Sequence, residues 1–99
     1  MNRKPGFDWD DMKDLQNEQK HGVDFYAAQY AFFDLNRVIL RDQQHSNLQE
    51  IRFFCIGYDA SRKGILTVRF TYRAHAIRIF GAGYWRKGRK IYERTNPIF

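Results

Sequence analysis

The residues of this chain that could do chemistry are cations and proton carriers, not the parts of a nucleotide or metal motif. Arg69, Arg73, Arg78, Arg86 and Lys87 supply positive charge, and His21, His45, His75, Tyr84 and Glu93 can give or take a proton. Together they suit cleavage of RNA by its own 2′-hydroxyl. A base removes the hydroxyl proton, cations stabilise the phosphorane, and an acid helps the 5′-oxygen leave. DNA lacks that hydroxyl and could only be bound by such a set. The stretch GAGYWRKG (Gly81–Gly88) lacks the Lys-Ser/Thr ending of a phosphate-cradling loop, no Cys/His cluster has zinc spacing, and there is no G-x-S-x-G elbow. Asp8, Asp10, Asp11 and Asp14 read as helix-start charges in solvent and not as metal ligands. No metal or cofactor is expected. Composition does not choose among the proton carriers: His21 also suits a helix C-terminus, His45 a polar loop and His75 a turn.

The cations need a surface, and the stretch from Leu66 to Arg94 supplies it. Leu66, Val68, Phe70 and Tyr72 alternate with Thr67, Arg69, Thr71 and Arg73, and Ile77 and Ile79 alternate with Ala76, Arg78 and Phe80, the period of half-buried strands. A turn centred on Ala74-His75 sets Tyr72 opposite Ile77, Phe70 opposite Ile79 and Thr71 opposite Arg78. Arg69, Arg73 and Arg78 then share one open sheet face, a costly arrangement unless something anionic meets it. Gly81-Ala82-Gly83 closes the strand. A helix is expected from Tyr84 or Trp85 to about Thr95, with Pro97 stopping it. Arg86, Lys90 and Arg94 form its basic stripe, Tyr84 and Ile91 face the core, and Gly88 lets it lie close to a neighbour.

Upstream, residues 1–7 read as a short loose tail. Asp8 is the expected N-cap of a helix whose apolar stripe is Trp9, Met12 and Leu15, with Lys20 and His21 in its last turn and Gly22 just past its end. Asp24 caps a second helix that turns Phe25, Ala28 and Phe32 to one side. Arg37–Asp42 is a strand and Gln43–Glu50 a polar loop. Ile51–Asp59 is a strand apolar on both faces, hence central. Short connections favour an antiparallel meander. The expected architecture is α+β: two N-terminal helices, a four-stranded antiparallel sheet and a C-terminal helix, with residues 1–99 as one domain.

With 99 residues, 43% of them hydrophobic, the chain can bury a core without staples. Cys55 is its one cysteine, so no internal disulfide is possible and a reducing, cytoplasmic compartment fits. No apolar run is long enough to span a membrane. Net charge is +6 and unevenly spread: residues 1–50 hold six basic against nine acidic side chains, residues 51–99 eleven against two. That asymmetry points to a polyanionic partner, of which nucleic acid is the commonest.

Several short motifs in order resemble one family. Trp9-Asp10, Lys13, Asn17, Lys20-His21-Gly22-Val23 and Phe25 are similar to the opening of the BrnT-type toxins, and Ala28 and Phe33-Asp34 continue the likeness. Asp42, His45-Ser46, Glu50, Arg52 and Ile56-Gly57 resemble its next block, and Thr71, Arg73 and Ile77-Arg78-Ile79 its last. The resemblance covers roughly residues 7–93. It implies a RelE-like fold and a ribonuclease toxin of a type II toxin–antitoxin pair that cuts RNA without metal and blocks translation. It also implies a BrnA-type ribbon-helix-helix antitoxin as partner, with operator DNA bound only through the paired complex, and leaves a homodimer or a toxin–antitoxin heterotetramer open. Lys20, His21, Arg73 and Arg78 are carried over as catalytic residues. Arg69, Arg86, Lys87 and Lys90 are the expected RNA contacts. One departure stands out: Gly81 and Gly83 occupy positions where many members have Ser and Arg. The same surface would also suit a non-catalytic module that binds nucleic acid or the antitoxin.

Overall fold

The computed structural model describes residues 3–97. Its centre is a five-stranded sheet in the order β1-β5-β4-β3-β2, built from β1 (Phe7–Trp9), β2 (Val38–Asp42), β3 (Arg52–Tyr58), β4 (Ile65–Arg73) and β5 (Ala76–Gly83). Helix α1 (Asp11–His21) lies along the β5 edge, α2 (Phe25–Ala28) runs into a 3-10 turn (Gln29–Phe33) under one face, and α3 (Arg86–Thr95) covers part of the other. The α+β class holds, but two details of the expectation are corrected. The sheet is mixed, with β1 parallel to β5, and the second N-terminal helix is a single α turn continued as 3-10. Among the described residues no helix is long and apolar enough to cross a membrane.

The added strand takes Phe7, the last residue of the expected tail, together with Asp8 and Trp9, expected to open the first helix; residues 1 and 2 of that tail lie outside the described part. Gly6 takes a φ of 84°, open to glycine at little cost, and its carbonyl accepts from the Ile77 N–H at 2.8 Å. The chain then enters beside β5, with Phe7 and Trp9 turned into the core and Asp8 to the opposite face. Asp8 is therefore not the helix cap. Asp10 is, its carboxylate accepting from the Met12 N–H at 2.9 Å. Met12 and Leu15 stay exposed, so α1 is not held by an apolar stripe. Its end follows the reading: Gly22 sits at φ 73° and its N–H closes onto the Glu18 carbonyl. Asp24 caps α2 by accepting from the Ala27 N–H, and Phe25, Ala28 and Phe32 are buried.

The hairpin has the expected register, Tyr72 opposite Ile77, Phe70 opposite Ile79 and Thr71 opposite Arg78. Ala74 and His75 both take positive φ, 52° and 67°, as a tight hairpin turn demands. Past Ile79 the register slips by one residue at Phe80, so that Arg69 pairs with Gly81 and Val68 with Ala82. This bulge extends β5 to Gly83 and returns Ala82 to the core side. β3 is apolar on both faces because it divides two cores. Cys55 joins Val68, Phe70, Ile79 and Phe25 on one side, and Ile56 joins Ile65 and Tyr92 under α3 on the other. Burial pushes the Cys55 thiol up to about 12.

Helix α3 is tied down by Asp34, a buried carboxylate that accepts from the Tyr58 N–H (2.9 Å), the Asn36 N–H (2.8 Å) and the Tyr92 hydroxyl (2.7 Å). Burial would raise the pKa of that carboxyl, but these donors outweigh it and hold it below the usual range. Tyr84 does not face the core as expected; it is half-exposed and donates to Asp59 at 3.0 Å. Tyr92 fills that role. Gly88 does what its position suggested: a Cβ there would lie 1.8 Å from Thr67 Oγ1, so the helix rests directly on β4. A glycine-to-alanine change inside a helix ordinarily gains about 1 kcal/mol. Gly88→Ala is expected to lose about 1–3 kcal/mol in urea denaturation by overpacking. Thr67→Ala, which removes the hydroxyl, recovers most of that loss, and Thr67→Val does not.

Candidate functional site

One row of side chains crosses all five strands on the open face. Register places Asp8 beside Arg78, Arg78 beside Thr71, Thr71 beside Arg52 and Arg52 beside Asp42. Three of the arginines on this face meet anions from their own chain. Arg78 is ion-paired to Asp8, and Glu50 receives Arg52 Nε at 3.1 Å and Arg73 Nη2 at 2.6 Å. The Arg73 and Arg52 hydrogen bonds, opposed by burial, hold the Glu50 carboxyl below the usual range. At the β2 end the buried Asp42 bonds His45 Nδ1 at 2.8 Å, and its carbonyl accepts from Ser46 Oγ, tying the polar loop as His45's position suggested.

Beside this row a depression of about 270 Å³ opens between α1 and the sheet. Helix α1 contributes Lys13, Gln16, Lys20 and His21, the sheet contributes Arg52, Arg69 and Phe80, and Trp85 closes the end nearest α3. What brings α1 here is Asn17. Beyond β1 the edge of β5 has no strand neighbour among the described residues, and the Asn17 carboxamide takes that place. Its Nδ2 donates to the Ala82 carbonyl at 2.9 Å and to the Val23 carbonyl at 2.8 Å, while its Oδ1 accepts from the Ala82 N–H at 3.2 Å. The Phe80 bulge sets the Ala82 groups at the place this needs. The Phe80 ring carries Arg52 at 4.3 Å and Lys13 at 5.6 Å, cation–π contacts that pack basic groups around an aromatic floor. Arg69 has no ion pair among the described residues. Trp85 meets His21 edge to face, with ring centres 5.2 Å apart. Its indole lies on Gly83, where a Cβ would sit 2.5 Å from the ring; at Gly81 a Cβ would meet nothing nearer than 3.6 Å.

The expected site residues therefore separate. Lys20, His21 and Arg69 line the depression, whereas Arg73 and Arg78 share its sheet face outside the lining, each on a carboxylate. Arg86 borders a neighbouring hollow with Tyr84 and Glu93, Lys87 borders an apolar groove with Leu40 and Phe54, and Lys90 is exposed on α3. Burial and the hydrogen bond to Asp59 push the Tyr84 hydroxyl up to about 12. His75 lies in the hairpin turn. Lys13, Arg52 and Phe80 were not among the expected site residues. Lys13, Gln16, Asn17 and Lys20 sit at i, i+3, i+4 and i+7, a helix-face spacing that could have exposed the first.

An α+β chain whose open sheet face gathers cations around aromatic rings is suited to attract anions. A family model described as the ribonuclease toxin, BrnT, of type II toxin–antitoxin systems matches residues 9–88, and the chain belongs to that family. Among curated proteins none matches it. An antitoxin is the partner that membership implies.

Asn17→Asp would turn an oxygen toward the carbonyls of Val23 and Ala82. It is expected to destabilise the fold by about 3 kcal/mol in urea denaturation, as for a buried polar group robbed of its partners. The Glu50 pairs carry a pH signature. A carboxyl whose folded-state value lies below its ordinary 4.5 adds stability that is complete above that value and fades as pH falls through the folded one. Glu50→Gln should thus cost about 1 kcal/mol at neutral pH, and the gap to the native protein should close in acid, followed by urea midpoints across the range.

Proposed function

We propose that this chain is a metal-independent RNA endonuclease, a single BrnT-like toxin domain over residues 1–99, that blocks translation in the cytoplasm by cutting RNA. The observation that supports it best is the depression itself, where Lys20, His21 and Arg69 stand with Lys13 and Arg52 around the Phe80 and Trp85 rings. Side-chain cations there are placed to stabilise a phosphorane, with no need for a metal to do so. His21 is the proton carrier within reach, and Lys20, Arg69 and Arg52 hold the scissile phosphate. Arg73 and Arg78 act along the sheet face, exchanging Glu50 and Asp8 for RNA phosphates. Arg86, Lys87 and Lys90 extend the track over α3. A BrnA-type ribbon-helix-helix antitoxin covers this surface, and operator DNA is reached only through that complex.

The test is incubation of purified protein with long single-stranded RNA in EDTA. Fragments are expected from the native chain, with losses of about a hundredfold or more for His21→Ala and Arg69→Ala. Arg73→Ala and Arg78→Ala should fall less steeply. RNA bound in a salt-dependent manner but left intact would instead favour the non-catalytic binding module.

A further inference from the structure

We propose that Trp85 is a stacking platform for a nucleobase of single-stranded RNA, and so a residue that selects where along a strand the basic depression engages. The inference rests on the RNA reading above and adds a contact to a base where the cations offer contacts only to phosphate. The placement of the indole carries it. One side of the ring rests on the Gly83 backbone, close enough that any side chain at 83 would collide with it. His21 meets the indole edge to face, the ring centres 5.2 Å and the ring planes 82° apart. Fixed in this way, the residue is still only partly buried and forms a shared wall of three depressions, the basic one among them.

The company it keeps separates a recognition surface from a core anchor. Trp9, the other tryptophan, is buried at 4% exposure in the apolar core. Trp85 borders Arg69 in the basic depression, Arg86 in the next hollow and Lys87 in the apolar groove. A rigid aromatic ring flanked by cations matches a nucleotide in both its parts: base on ring, phosphates on the charges to either side. Only an unpaired base offers a free face, so the strand must be single there.

The experiment compares two 2′-O-methyl RNA dodecamers, whose blocked hydroxyls prevent cleavage, one complete and one with abasic central nucleotides. Both carry the same phosphates. The native protein should bind the complete strand about tenfold more tightly, with quenching of indole fluorescence. Trp85→Ala should bind both strands alike while keeping the native salt dependence, because no phosphate contact is lost; Arg69→Ala should flatten that dependence instead. Trp85→Phe, which keeps a stacking ring, should retain the preference but lose the quench, leaving only the buried Trp9 to emit, and it guards against a folding defect in the alanine variant. Equal binding of the two strands by the native protein, or a preference that survives Trp85→Ala, would overturn the stacking role and leave the RNA reading standing. Failure of the native protein to bind either strand would overturn both.

Discussion

The position of α1 depends on one carboxamide. Asn17 completes the edge of β5 where β1 stops, donating to and accepting from Ala82 as a strand residue would. The contact is buried, so its loss would leave backbone groups unpaired away from water. The bulge at Phe80 makes it possible: without the extra residue Ala82 would face the other side, and the helix would have nothing to meet. This hydrogen-bonded pair helps hold the helix where Lys13, Lys20 and His21 reach the sheet face.

The open face obeys a second constraint, the repulsion among arginines on neighbouring strands. The chain answers with its own anions, Asp8 from β1 and Glu50 from the loop before β3. The segment that completes the sheet thus also supplies half of the neutralisation. Because Arg73 and Arg78 are engaged in this way, the depression lined by Arg69 differs in character from the face beside it: one is ready for an anion, the other must exchange one.

Sequence was a good guide wherever a pattern repeats locally. The hairpin register follows from alternation, Gly22 and Asp24 from helix-end chemistry, and the two-sided burial of β3 from its unbroken apolar run. It failed at β1, where three residues are too few to show a period and the partner is far along the chain. The charge asymmetry misled in the same way. Splitting the chain at residue 50 hides that Asp8 and Glu50 meet the second-half arginines, and that Lys13 and Lys20 from the acidic half join the basic depression. Which of the expected cations stand together could not be read from spacing, since it depends on how the α1 face meets the sheet.

The parallel pairing of Phe7–Trp9 with Ile77–Ile79 joins nearly the first described residues to the last strand in the chain. Contacts so distant in sequence form late, and on a ribosome they must wait for the partner to emerge. The N-terminal helix of a nascent chain finds no Ala82 to bind, and its lysines have no Arg69, Phe80 or Trp85 beside them, until those residues have left the ribosome. The depression thus has no existence while residues 69–85 are still being made.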